Sequence, residues 1–105
     1  MSIRYITIRE FSSFHDVDVH IVRELADSGL VETLRREEEW CIREEDVEPL
    51  EMMVRLRRDL GVNPAGIETI LHMRRRLEAM RRRVEELERD LRRYERLLDK
   101  INDTA

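Results

Sequence analysis

The sequence predicts a mainly α protein: a small helix-turn-helix domain carrying a wing, followed by one long C-terminal dimerisation helix. Three observations predict it. From Ile70 to Ile101 apolar or aromatic residues recur in an unbroken seven-residue pattern, the signature of a coiled-coil helix. Gly61 and then Asn63-Pro64 supply a helix stop followed by a helix start, with Gly suited to the left-handed cap and Asn and Pro to the first turn. Upstream, two short apolar-patterned segments flank the turn His15-Asp16-Val17, the spacing of a helix-turn-helix. The expected boundaries are residues 1–62 for the small domain, 63–101 for the long helix and 102–105 for a frayed tail.

The long helix carries the clearest signal. One seam holds Ile70, Leu77, Val84, Leu91 and Leu98, and the other holds Met73, Met80, Leu87, Tyr94 and Ile101. Most other positions are Arg, Glu or Asp, so the stripe is expected to be buried by a partner helix. The flanking charges choose an orientation. In a parallel pair, Arg76 would meet Arg81 and Asp90 would meet Glu95, both repulsive, with only Arg83–Glu88 attractive. In an antiparallel pair with Val84 opposite Leu87 of the second copy, Arg74 meets Glu95, Arg81 meets Glu88 and Arg83 meets Asp90. Each exposed pair contributes only about 0.3–0.5 kcal/mol, but the contacts repeat across a two-fold axis and all favour one orientation. The expectation is an antiparallel homodimer, with the helix roughly 57 Å long at 1.5 Å per residue.

The smaller elements follow in order. Met1 to Ile8 alternates loosely and suits a short strand or an extended lead-in. Thr7 with Glu10 three residues on forms a capping box for a helix over Ile8 to Phe14. Asp18 caps a second helix over Val19 to Ser28, with Ile21, Val22 and Leu25 inward and Gly29 as the stop. Leu30-Val31 and Trp40-Cys41-Ile42 flank the polar stretch Glu32 to Glu39, which suggests a two-stranded wing whose turn has no glycine. A third helix opens near Glu44-Glu45-Asp46, where acids suit the dipole. Its expected stripe is Val47, Leu50, Met53, Val54, Leu56 and Leu60.

Composition narrows the function classes. Charged residues make up 42 % and aromatics 5 % of 105 residues, which suits a solvated helical protein with one modest core. The net charge of −4 is uneven: residues 1–60 carry −6 and residues 61–105 carry +2. An acidic N-terminal half is a poor start for a reader of phosphate backbones. A single cysteine, Cys41, excludes an internal disulfide and fits a reducing, cytoplasmic compartment. No signal peptide or apolar run of membrane-spanning length is recognisable, so no membrane association is expected. His15, His20 and His72 stand apart from one another, and Gly29, Gly61 and Gly66 are isolated. Neither a metal signature, a phosphate loop nor a catalytic constellation can be assembled, and the expectation is a non-enzyme without metal or cofactor.

The order of elements resembles the MerR family of regulators. The matching stretches are Tyr5 to Phe11, Val17 to Leu30, Glu44 to Val47, and the corner Leu56 to Val62 followed by Ile67 to Leu71. That resemblance implies a winged helix-turn-helix fold and an antiparallel coiled-coil dimer. The second helix departs from the family's DNA-reading pattern. It offers Arg23 alone, beside Glu24 and Asp27, and Glu37-Glu38-Glu39 stands where the wing would approach phosphates. The sequence is closer to the chaperone modulators of the CbpM type, through Ile6 to Phe11, Gly29 to Glu32, Leu50 to Leu60 and Leu60 to Glu68.

That closer resemblance implies a partner, the J-domain of a DnaJ/CbpA-like co-chaperone, and an effect on its work with Hsp70. Acids at Glu24, Asp27, Glu37, Glu38 and Glu39 would attract the basic helix of a J-domain. Trp40 is the candidate anchor, although beside Cys41 it is also expected to pack in the core. Two other readings stand. A DNA-binding regulator would use Arg4, Arg9, Arg23, Arg35, Arg36 and Arg43. A structural adaptor would use the coiled coil alone.

Overall fold

The computed structural model describes residues 2–104. The chain divides into two compact units, one up to Thr69 and one from Ile70. Strand β1 (Tyr5–Thr7) leads into helix α1 (Ile8–Phe14) and then α2 (Val19–Asp27). Strands β2 (Leu34–Arg36) and β3 (Glu39–Arg43) make the wing. A 3-10 turn (Glu44–Asp46) precedes α3 (Val47–Leu60), and α4 runs from Pro64 to Thr104.

Local chemistry accounts for most boundaries. Thr7 Oγ1 accepts from the Glu10 amide at 2.9 Å, and Asp18 Oδ1 accepts from the His20 amide at 2.9 Å. Each satisfies an orphan donor of a first helical turn. Helix α2 ends at Asp27 with Ser28 as its cap, one residue earlier than the sequence suggests. Gly29 follows at φ 79°. Gly61 closes α3 at φ 67°, and the Val62 amide donates back to the Leu56 carbonyl at 3.0 Å. Asn63 Oδ1 accepts from the Gly66 amide at 2.8 Å, with Pro64 at the first helical position. A Cβ on Gly66 would lie 2.8 Å from Val62 Cγ1, so this glycine lets the corner close tightly.

The sheet has the order β1-β3-β2, antiparallel throughout. The N-terminal residues therefore join the wing: Ile6 pairs with Ile42 and Thr7 with Cys41. The wing itself is shifted from the expected position. Its first strand is Leu34–Arg36, not Leu30-Val31, and Val31 is buried outside any strand. The hairpin closes on Glu37-Glu38, both at positive φ (49° and 66°). That is the backbone sign of a type I′ turn, adopted here without the Gly or Asn that would mark it in a sequence.

The core of the first unit is Phe11, Val22, Leu25, Ile42, Leu50 and Ile67, all fully enclosed, with Ile8, Val17, Val31, Cys41, Met53 and Val54 around them. Ile21, Val47 and Leu56 are half-buried, and Leu60 is 72 % exposed instead of inward. His15 Nδ1 lies 2.9 Å from Glu51 Oε1 and its ring sits 4.5 Å from that of Phe11, tying α1 to α3.

In the second unit α4 continues past Ile101 through Asn102–Thr104, where the sequence suggested fraying; Ala105 lies outside the described residues. Thr104 Oγ1 donates to the carbonyls of Lys100 and Ile101. Among the described residues no helix is long and apolar enough to cross a membrane.

Candidate functional site on the winged unit

Helix α2 buries Val22 and Leu25 and turns His20, Arg23 and Asp27 outward. The wing stands beside it. A cleft of about 270 Å³ is lined by Ile8 and Arg9 of α1, Val19 and Arg23 of α2, and Glu38, Glu39 and Trp40 of the wing. The structure therefore brings three of the expected docking residues into one place, together with two arginines that sequence reading had assigned to DNA.

Trp40 is 46 % exposed and not a core residue. By the two-residue period of a strand it shares a face with Ile42, but it lies two positions nearer the wing tip, beyond the enclosed core. Cys41 is buried as expected, with Sγ 3.6 Å from the Glu39 carbonyl. Arg35, directly opposite Trp40 in the ladder, holds its guanidinium carbon 5.6 Å from the ring centroid. Arg36 stacks similarly on Tyr5 at 4.2 Å. These are cation–π contacts, which stiffen the wing while leaving the guanidinium charge in place.

The ion pairs redistribute the charge. Arg9 lies 3.3 Å from Glu39, Arg4 lies 3.8 Å from Glu44, and Arg43 lies 3.4 Å from Glu32. Three of the six arginines of the DNA reading thus have an ion-pair partner within the chain. Arg23 has no ion-pair partner among the described residues. Glu24, by contrast, is half-buried against α3, with Arg57 Nε 3.2 Å from its carboxylate. Its charge is spent on holding α2 to α3. Asp27, Glu37 and Glu38 are exposed and make no ion pair among the described residues.

At the far end of α3, Arg58 Nε donates to Asp59 Oδ1 at 2.9 Å. That hydrogen bond holds the Asp59 carboxyl below its ordinary value and raises Arg58. Among the described residues no three His, Cys, Asp or Glu side chains come together to hold a metal.

Two features here were beyond sequence reading. The Arg9–Glu39 contact joins α1 to the wing over thirty positions of chain, and no periodicity encodes it. The addition of β1 to the wing was legible only as loose alternation in Ile3, Tyr5, Ile6 and Ile8.

Residues 6–89 match the model of a family described as MerR HTH family regulatory protein. The chain belongs to the MerR HTH family. The match takes in the helix-turn-helix, the wing, α3 and the first part of α4, so it covers both the site and part of the heptad seam. No curated protein and no solved structure matches the chain.

Proposed function

We propose that this MerR-family chain is a homodimeric chaperone modulator of the CbpM type. In this reading its winged unit captures the J-domain of a DnaJ/CbpA-like co-chaperone and keeps it from Hsp70. One observation carries the reading: the wing tip that a DNA backbone would have to approach is Glu37-Glu38, exposed and without ion pairs among the described residues. Carboxylates there repel phosphates and attract a basic helix. Asp27 on the outer face of α2 adds a charge of the same sign, and half-exposed Trp40 supplies an apolar anchor in the cleft beside Glu38 and Glu39. Binding would act by occlusion, with no chemical step.

The dimer is part of the same proposal. Nine of the ten seam residues, Met73 to Ile101, are between 49 % and 67 % exposed on the single chain. An antiparallel partner with Val84 opposite Leu87 matches the whole seam, Ile70 to Ile101 and Leu77 to Tyr94 included. Cross-linking tests the orientation. A mixture of Leu77→Cys and Tyr94→Cys chains should form disulfides between copies, whereas Leu77→Cys alone should not. Self-linking of the Leu77→Cys chain would establish a parallel pair.

A second reading is supported by the family itself and by unpaired Arg23 on α2: a MerR-like DNA-binding transcriptional regulator. Calorimetric titration with the J-domain separates the two. Saturation near one J-domain per protomer is expected, weakened in the E37Q/E38Q/E39Q variant. An absence of heat with the J-domain, combined with sequence-specific duplex binding that improves in that variant, would install the regulator in its place.

A further inference from the structure

The winged unit has four aromatic residues, Tyr5, Phe11, Phe14 and Trp40. Two of them serve the fold. Phe11 is fully enclosed, and Tyr5 is half-buried beneath the Arg36 guanidinium. Phe14, the last residue of α1, is 83 % exposed, the most exposed large apolar side chain among the described residues. A ring left so far in water contributes little to folding.

Its surroundings are those of an anchor. The ring stands edge-on to that of His15, with centroids 5.0 Å apart, and His15 is itself held by Glu51 at 2.9 Å. Phe14 is thus presented in a set orientation, which lowers the entropy lost on binding. Glu10 lies one helical turn before it on the same face, exposed and without an ion pair among the described residues. A shallow groove is lined by Arg9, Glu10, Ser13 and Phe14. Arg9 also borders the cleft that holds Trp40 and Glu38. Groove and cleft therefore adjoin across Arg9 and form one strip, with an exposed aromatic residue at each end of it. Even with Arg9 and Arg23 counted, the strip is net acidic through Glu10, Glu37, Glu38 and Glu39.

We infer that Phe14 is a second apolar anchor of the docking face, which runs from the wing tip across Arg9 to the end of α1. The inference rests on the J-domain reading and gives the partner surface a chemistry. It is a cationic helix carrying two apolar side chains among its basic ones, one for Trp40 and one for Phe14. Buried aromatic area supplies the affinity, and the acids select the sign of the partner. Glu10, Glu37 and Glu38 repel a phosphate backbone or an anionic membrane surface. A second winged unit would bring the same acids together, since residues 1–60 carry −6.

Calorimetric titration of the full chain with the J-domain, over a salt series, is the test. Phe14→Ser should bind roughly tenfold or more weakly, with an unchanged salt dependence, because it removes area and not charge. Its melting temperature should match that of the unmodified chain. Phe14→Tyr should retain most of the affinity. Glu10→Gln should weaken binding less than Phe14→Ser but flatten the salt dependence. Ile3→Ser removes another exposed apolar side chain, one that borders neither cleft nor groove, and should leave the affinity unchanged. Full affinity in Phe14→Ser would overturn the inference and leave the J-domain reading standing, whereas no binding by the unmodified chain would overturn both. An equal loss in Ile3→Ser would overturn it as non-specific adhesion, and a lower melting temperature in Phe14→Ser would overturn it by showing that the ring is packed. Altered sedimentation of Phe14→Ser at unchanged J-domain affinity would assign the face to a second copy of the chain instead.

Discussion

The winged unit and the long helix solve the same problem in opposite ways. The first closes six side chains completely, from Phe11 to Ile67, on a frame of three helices, the start of α4 and a small sheet. The second leaves nine large seam residues about half exposed or more. A hydrophobic side chain contributes through the area it removes from water. The first unit gains that contribution within one chain, and the helix gains it only with a partner. The two should therefore answer differently to concentration, to mutation and to charge.

Disruption of the seam should give the largest effect. Leu87 is expected to face Val84 of a second copy twice in every dimer, so Leu87→Asp places two carboxylates in apolar surroundings. The loss is on the order of 5 kcal/mol per dimer or more, counting burial lost and charge desolvated. Sedimentation at micromolar concentration should show monomer, with the winged unit still folded by near-ultraviolet circular dichroism of Trp40. A dimer that survives the substitution would mean that association runs through another surface.

The complementary break lies in the core. Leu50 is fully enclosed on α3, and Leu50→Ala should cost about 2–5 kcal/mol. The melting transition of the winged unit should fall sharply and stay independent of protein concentration. Helical signal from α4 should persist and remain concentration-dependent. A single shared transition for both units would show that the contrast between them is not energetic.

The same contrast explains what was legible in the sequence. Heptads announce themselves over ten positions, so the long helix and its start at Asn63-Pro64 could be read residue by residue. Caps are local too, and Thr7 and Asp18 accept their hydrogen bonds as expected. The wing was harder. Its turn uses two glutamates at positive φ, a conformation for which side-chain type is only a weak guide. Trp40 was drawn inward by its apolar neighbours, yet the enclosed core ends before reaching it. The candidate docking face depends on which charges already have partners, and Arg9–Glu39 and Glu24–Arg57 are pairings between elements distant in sequence. Composition places all these charges in the acidic half but does not say which remain free.

A smaller effect sharpens the boundary between the units. Asn63→Ala removes the acceptor for the Gly66 amide, and a lost helix cap costs about 1 kcal/mol. Hydrogen exchange should speed up at Gly66 and its neighbours, with the heptad region beyond Ile70 unaffected. Faster exchange along the whole of α4 would mean that the helix depends on its first turn more than on its seam.

The smallest prediction runs the other way. Ser12 is buried on α1, and its hydroxyl has no hydrogen-bond partner. A buried donor left unmade carries a desolvation penalty, and its removal by an apolar group of similar shape is neutral or stabilising. Alanine is also the better helix former. Ser12→Ala should therefore raise the stability of the winged unit by about 0.5–1 kcal/mol, seen as a higher denaturant midpoint with an unchanged slope. Such a gain would locate an unsatisfied polar group in the core around Phe11. A loss of stability would instead show that the hydroxyl is engaged in solution, and that the core around Phe11 is less dry than its burial implies.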